Sequence, residues 1–293
     1  MKTWTHEKPW HGLGEEIEAN LTPHEMLIKA ELDYQRPYLS PANHEMFQFI
    51  KAFIAAGDAQ LQTVGSLDKG RIIWVLAGVN EQFTLPGEDP VAGCLLFASR
   101  NERRDWVQMQ VLAVREVGGN TLQIPCKAKT TFKNIFRRKF VSTPPFLSPA
   151  STELEAEMIQ KAKENIGLAR EAMAAFASDA QRLANQSVEE ATAYRYMFDV
   201  FQPEAIQDLS TMGQKEVEEF AEKKTRMAVA AINKAPGQDL ESARMTAWGL
   251  LNAVTYAVDH HIGSNQDSRL RLAWFGGNAE IKRRALQLAL KLL

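Results

Sequence analysis

The spacing of apolar residues predicts a pair of helices at the start of the chain. Thr22-Pro23-His24-Glu25 is a capping box with proline in the first turn, and it predicts a helix through about Leu32. Ser40-Pro41 begins a second predicted helix, whose apolar positions continue until Gly57 ends it.

Short apolar runs separated by turns follow this helix pair. Asp68-Lys69-Gly70 and Pro86-Gly87-Glu88-Asp89 are typical of turns between strands. In residues 106–114, apolar and polar side chains alternate as they do in a strand with one solvent-facing side. We therefore predict four antiparallel strands, over residues 60–65, 71–79, 91–99 and 106–114.

After a proline-rich connector over residues 142–149, the apolar period is helical to the end of the chain. Thr152 with Glu155 and Ser187 with Glu190 form capping boxes that open two helices. Further helices are predicted over 213–233 and 239–262, followed by two short ones after residues 263–267 and 275–277. The fold class is therefore α+β, with a small antiparallel sheet after two helices and a mainly helical C-terminal half. The predicted domains are an α+β core over 1–150 and a helical region over 151–293, packed on or beside it.

The composition is that of a globular protein, with 45% apolar and 24% charged residues in 293. The longest apolar runs, 72–79 and 91–98, are far shorter than the roughly 20 residues that cross a bilayer. The start of the chain has no secretory pattern, and Cys94 and Cys126 have a spacing that suits neither zinc nor a disulfide framework. We therefore expect a cytoplasmic protein without a membrane partner, in the host cytoplasm if a phage encodes it.

The net charge of −2 conceals a strong asymmetry along the chain. Residues 1–99 carry 7 basic and 13 acidic side chains, whereas residues 100–150 carry 10 basic and 3 acidic ones. Positive charge concentrated in one short stretch favours a local contact with an anionic partner.

Residues 127–140 contain six basic side chains and no acidic one. Phe132, Phe136 and Phe140 are four residues apart, so on a helix they form one apolar stripe beside the cations. The cations are interpreted either as a face that follows phosphates or as the solvated side of a helix packed on the core. The phenylalanines are interpreted as core rather than as stacking platforms. The predicted nucleic-acid-binding residues of this segment are Lys127, Lys129, Lys133, Arg137, Arg138 and Lys139.

Five short strings far apart in the sequence carry a family resemblance. They are 9–14 (PWHGLG), 65–71 (GSLDKGR), 115–122 (REVGGNTL), 246–255 (TAWGLLNAVT) and 274–277 (WFGG). In order and spacing they resemble a family found mostly in phages and plasmids, Domain of unknown function (DUF932), from Trp10 to about Leu290.

The string at 115–122 gives three more candidate binding residues, Arg115, Asn120 and Thr121. The Asn-Thr pair is interpreted either as a cap for the next helix or as a ligand contact. Gly118 stands where the family usually has cysteine, and the family's Arg-His-Thr string is not evident here. Both departures argue against chemistry by a cysteine or histidine at this place.

The remaining candidate chemistry predicts neither a metal site nor a cofactor. His11 lies in a glycine-flanked string that predicts a tight loop holding Trp10 against the body. His260 and His261 are adjacent, so on a helix they point about 100° apart and cannot easily face one ion. Phosphate-loop, nucleophile-elbow and metalloprotease motifs are absent from the sequence, so no catalytic residue is assigned and enzymatic activity is not expected.

Two hypotheses of different classes follow. The first is an ATP-independent single-stranded-DNA-binding and annealing protein for homologous recombination, acting as a homo-oligomer, with phage or host recombination proteins as partners. The order of strands and then a basic helix is similar to the β-β-β-α core of Rad52-type annealing proteins. The second is a protein-binding module of phage or plasmid origin, such as an inhibitor of a host factor. A hydrolase without a recognisable motif is a third, weaker alternative.

Overall fold

The fold is given by a computed structural model, which describes residues 7–16, 25, 50, 59–100, 107–126, 152–202 and 214–293. Within these ranges, one antiparallel sheet precedes a helical half, so the predicted α+β class is confirmed. The strands are β1 (Gly14–Glu16), β2 (Gln60–Leu67), β3 (Ile72–Leu85), β4 (Asp89–Arg100), β5 (Val107–Arg115) and β6 (Thr121–Gln123). The helices are α1 (Thr152–Asn185), α2 (Glu190–Val200), α3 (Gln214–Lys234), α4 (Ala247–His260), α5 (Gln266–Phe275) and α6 (Gly277–Leu290).

The sheet is a meander in which each strand pairs with the next one in the chain, in the order β1 to β6. Asp68, Lys69 and Gly70 all have positive φ and close the turn between β2 and β3, while Gly87 and Glu88 do so between β3 and β4. Both predicted turns and all four predicted strands are confirmed. Strand β3 continues beyond its predicted end through an irregularity, and β1 and β6, of three residues each, are too short for an alternating pattern to predict.

Trp74 lies across two glycines on one face of the sheet. Gly14 pairs with Gly65 in register, and Gly65 pairs with Trp74. A Cβ on Gly65 would lie 2.4 Å from Trp74 Cζ2, and one on Gly14 would lie 2.7 Å from Trp74 Cη2. The edge of Trp274 packs on Trp74 with centroids 5.2 Å apart, and Trp10 lies 5.8 Å from Trp274. The two glycines therefore make the space in which three indoles meet.

Helices cover both faces of the sheet. On one face, α1 places Met173 against Gly93 and Phe176 against Phe83. On the other face, α5 and α6 meet the sheet around Trp274. Helix α4 lies beside β6 and is buried along nearly its whole length. Residues from both halves of the chain thus belong to one hydrophobic core.

Two predicted helix starts are wrong. The helix predicted from residue 239 begins only at Ala247, with the Thr246 side chain accepting a hydrogen bond from the Gly249 N–H at 3.1 Å. The segment before it stays irregular because the Ser242 N–H donates to the Pro86 carbonyl at 3.1 Å. Helix α2 has Glu189 as its N-cap without a side-chain hydrogen bond, so the predicted capping box at Ser187 does not form.

The other helix predictions for the C-terminal half are confirmed, including the break at Gly276 between the two final helices. Of the two predicted N-terminal helices, Glu25 and Ile50 are helical. All other residues of those two segments lie outside the described residues.

Candidate functional site

Arg115, at the end of β5, is buried in a group of polar side chains where the sheet meets the helical half. Its Nε donates to Asp89 Oδ1 at 2.7 Å, and its second terminal nitrogen donates to the Gly237 carbonyl at 2.9 Å. The other oxygen of Asp89 accepts from Ser242 Oγ at 2.7 Å and from the indole N–H of Trp248 at 2.9 Å. Both charges are removed from water, so these hydrogen bonds offset the cost of burying them.

Asn120 lies beside this group and is also buried. Its amide nitrogen donates to Asn252 Oδ1 at 2.9 Å and to Thr255 Oγ1 at 2.6 Å. Its oxygen has no hydrogen-bond partner among the described residues, and a Cβ on Gly118 would lie 2.6 Å from it. Glycine at 118 therefore leaves the space that the Asn120 side chain uses. The void next to Arg115 and Asn120 measures about 10 Å³, which is too small for any organic ligand.

Thr121 joins the sheet to α4 and α6. Its backbone N–H donates to Asp259 Oδ2 at 2.6 Å, and its hydroxyl donates to the same oxygen at 3.0 Å. Lys282 Nζ donates to Asp259 Oδ1 at 2.8 Å and to the Thr121 hydroxyl at 2.9 Å, and Trp274 Nε1 lies 3.3 Å from that hydroxyl. Burial lowers the pKa of Lys282, and the neighbouring Asp259 carboxylate opposes that shift.

These three candidate residues therefore have partners inside the chain. Asn120 and Thr121 lead into β6, and among the described residues neither caps a helix, so the structure gives the capping interpretation no support. Their side chains hold the β5–β6 hairpin against the helices. Nearly every hydrogen-bond donor and acceptor among them already has a partner within the chain. A contact between Arg115, Asn120 or Thr121 and a nucleic acid stays a prediction.

The six predicted cations of residues 127–140 lie outside the described residues, so their helix and their arrangement stay predictions. The last described residue before this segment is Cys126.

His11 and the pair of His260 and His261 have different surroundings. Trp10 is buried and His11 is exposed in a tight loop in which Gly12 has a φ of +74°, as predicted. Asp259 faces Thr121, whereas the ring of His260 lies on Tyr256 with centroids 4.5 Å apart. Among the described residues, no group of three or more His, Cys, Asp or Glu side chains is placed to hold a metal ion.

A groove of about 420 Å³ lies where β6 ends beside β5, opposite the junction of α5 and α6. Polar side chains on its sheet side are Gln108, Gln110 and Gln123, and Phe275 lies on its helix side. Its described lining is completed by Met109, Val111, Ile124, Pro125, Cys126, Trp274, Gly276, Ala279, Glu280 and Arg283. This volume is within the roughly 300–1,000 Å³ of small-ligand sites, so the groove is the candidate binding site of the described chain.

Sequence reasoning missed the partners that complete these sites. Asp89 has the sequence signature of a turn residue, and Ser242 that of a helix interior. Lys282 lies in an amphipathic helix where an exposed lysine would look the same. The three glutamines follow the alternation of ordinary strands, so no local signal distinguishes them.

The family comparison matches most of the chain. A family model with the description Domain of unknown function (DUF932) matches residues 35–142 and 152–274. Comparison with curated proteins and with solved structures found no match. None of these comparisons supports the resemblance to Rad52-type annealing proteins. Among the described residues, no helix is both long and apolar enough to cross a membrane.

Proposed function

This chain belongs to the family Domain of unknown function (DUF932), whose description names no activity, and we therefore propose a function from the chain's own charge and geometry. The proposal is an ATP-independent protein that binds single-stranded DNA and anneals complementary strands in homologous recombination. It acts in the cytoplasm as a homo-oligomer, with phage or host recombination proteins as its partners.

One observation carries this proposal. Pro125 and Cys126 line the groove beside β5, and the next residue of the sequence begins the segment with six cations and no acidic residue in fourteen. Annealing requires little more than a surface that holds the phosphate backbone by charge and leaves the bases open to a second strand. Cations that neutralise phosphates release counterions, so the affinity is expected to fall steeply with salt.

A salt-titrated gel shift with labelled oligonucleotides tests the proposal. We expect binding of single strands at roughly 50 mM salt, where phosphate contacts are strong, and progressive loss as salt increases. Absence of binding at that salt concentration eliminates the proposal.

Charge reversal at Arg137 and Arg138 (R137E with R138E) locates the contact. We expect weaker binding of all sequences alike and a salt slope shallower by about one to two, since each phosphate contact on a single strand contributes roughly 0.7. The matched control is R195E with R226E, at side chains that are 85% and 71% exposed on α2 and α3. An unchanged slope in the folded R137E/R138E protein moves the contact elsewhere.

One observation favours the alternative, a protein-binding module of phage or plasmid origin. Tyr194 and Phe198 are 53% and 60% exposed, and they lie one helical turn apart on α2. Exposed aromatic pairs of this kind are typical of protein contacts. Purification from a nuclease-treated host lysate tests this alternative: a stoichiometric partner that Y194S with F198S no longer retains supports it, and the absence of any partner opposes it.

A further inference from the structure

The groove beside β5 has hydrogen-bonding groups that the fold does not use. Gln123 Nε2 donates to Gln110 Oε1 and to the Trp274 carbonyl, each at 2.5 Å, so these amides are held in place. The Gln108 amide, by contrast, makes no hydrogen bond within the described part of the chain. The groove therefore offers a fixed row of side-chain amides, and within the described part of the chain the Gln108 amide and the Gln123 Oε1 oxygen are left for a ligand.

The helix side of the groove offers a different chemistry. The Phe275 ring is partly exposed and lies edge-on to Trp274, with centroids 6.1 Å apart. Glu280 and Arg283 form an ion pair with each other and are about half exposed, at 49% and 44%. The helix side of the groove thus carries the aromatic ring of Phe275. Its opening carries the Glu280 carboxylate as an acceptor and the Arg283 guanidinium as a cation.

A planar ligand with donors and acceptors on its edge fits this combination. Glutamine amides pair with base edges in nucleic acids, acidic side chains accept from exocyclic amino groups, and aromatic rings stack on bases. The guanidinium of Arg283 is suited to a phosphate.

We infer that this groove receives one base of the bound single strand, with Gln108 and Gln123 contacting its edge and Arg283 contacting the adjoining phosphate. The inference rests on the proposed function, because it names where that function engages a base rather than the backbone. A single strand and a free nucleotide would both present a nucleobase to this groove.

The experiment compares a thymidine strand of about 12 nucleotides with an abasic strand of the same length, each titrated at about 100 mM salt. Wild-type protein is expected to bind the strand with bases about tenfold more tightly, because stacking and edge contacts are available only there. Q108L breaks no hydrogen bond within the described part of the chain and is expected to reduce this preference severalfold, and Q108L with Q123L is expected to abolish it. In both variants the salt slope should stay that of the wild type, since no phosphate contact is removed. The matched control is Q181L, a glutamine on α1 outside the groove.

The outcomes separate the inference from the function that it rests on. If both strands bind with no preference, or if Q108L and Q108L/Q123L keep the full preference, the groove inference is overturned while DNA binding stands. If neither strand binds, the proposed function itself is overturned. If a free mononucleotide competes as strongly as the strand does, the assignment of the groove to a strand is overturned. Unfolding curves of each variant, recorded by tryptophan fluorescence, show whether a loss reflects the groove or the fold.

Discussion

At the scale of single residues, Trp74 explains why two glycines far apart in the sequence are needed. The indole lies on Gly14 and Gly65, and at Gly65 an added Cβ would also lie 2.3 Å from the carbonyl oxygen of Leu13. Trp10 and Trp274 complete the contact. Three of the short strings that carry the family resemblance therefore meet at one point of the core.

The substitution G65A tests this packing. We expect the free energy of unfolding to fall by about 2–4 kcal/mol, because backbone and a rigid ring must both move to make room for a methyl group. Urea unfolding followed by tryptophan fluorescence measures the change. In the control G167A on α1, nothing lies within 4 Å of the added Cβ, and the same methyl group should raise stability by up to about 1 kcal/mol. Equal effects of the two substitutions would contradict the packing argument.

His260 is the second residue whose surroundings have a measurable effect. Its Nε2 is buried without a hydrogen-bond partner among the described residues, and burial lowers the pKa of its imidazole to about 4. Asp259 raises that pKa, while His261 and Arg269 lower it. The folded protein thus holds the ring neutral at a pH where the unfolded chain would protonate it.

The sign of the pH dependence follows directly. Between pH 6.5 and about 4 the unfolded state binds the extra proton, so stability falls as the pH decreases through this range. Replacement by H260Q should remove up to about 3 kcal/mol of that loss, as judged from urea unfolding at pH 7 and pH 4.5. The exposed His11 supplies the substitution control, H11Q, which should leave the free energy of unfolding at pH 7 as in the wild type. A wild-type profile in H260Q would show that another group titrates.

At the scale of elements, the hairpin of β5 and β6 is attached to the helices by polar contacts as well as by apolar ones. Thr121 of β6, Asp259 of α4 and Lys282 of α6 meet at one buried point. Each has several hydrogen bonds there, so the three elements have a fixed relative position.

A double-mutant cycle on Asp259 and Lys282 measures this attachment. D259L or K282M alone should destabilise the protein by about 3–5 kcal/mol, because each leaves the other charge buried without its ionic partner. The double variant should cost at least about 2 kcal/mol less than the sum, since it removes both charges. The exposed pair of Asp179 and Arg182 is the control, with a coupling energy below about 1 kcal/mol. Additive effects at the buried pair would contradict a direct interaction.

The elements were predictable from the sequence where local chemistry decides them. Positive-φ turns, the change from strand to helix period and the break at Gly276 all have local signals. The irregular segment before α4 and the partners of Arg115 had no such signal, because Ser242 donates to the distant Pro86 carbonyl and Arg115 donates to the Gly237 carbonyl 122 residues away. The groove could not be predicted from local sequence either, because it forms where β5 meets the junction of α5 and α6, more than 150 residues away in the sequence.

At the scale of the whole molecule, the helical half completes the sheet and does not stand apart from it. Buried Asp89, Arg115 and Asn120 obtain hydrogen bonds from residues after 236, and apolar side chains from both halves form one core. Without the second half, these polar groups would be buried unpaired or the sheet would be exposed.

Expression of residues 1–150 alone tests this dependence. We expect no cooperative unfolding transition and strong binding of a hydrophobic dye, because the faces of the sheet lose their cover. Co-expression with residues 151–293 should restore both the transition and the near-ultraviolet signal of the clustered indoles. A cooperative transition for residues 1–150 on their own would establish them as an independent domain.

These hydrogen bonds join residues that are far apart in the sequence, and this separation affects how the protein folds during synthesis. During synthesis the strands leave the ribosome well before Trp248 and Lys282, which lie 159 and 161 residues after their partners Asp89 and Thr121. Contacts so distant in sequence slow folding, since the chain ends must be brought together before they stabilise anything. The newly made sheet therefore stays without these partners, and accessible to chaperones, until about 160 further residues have been translated.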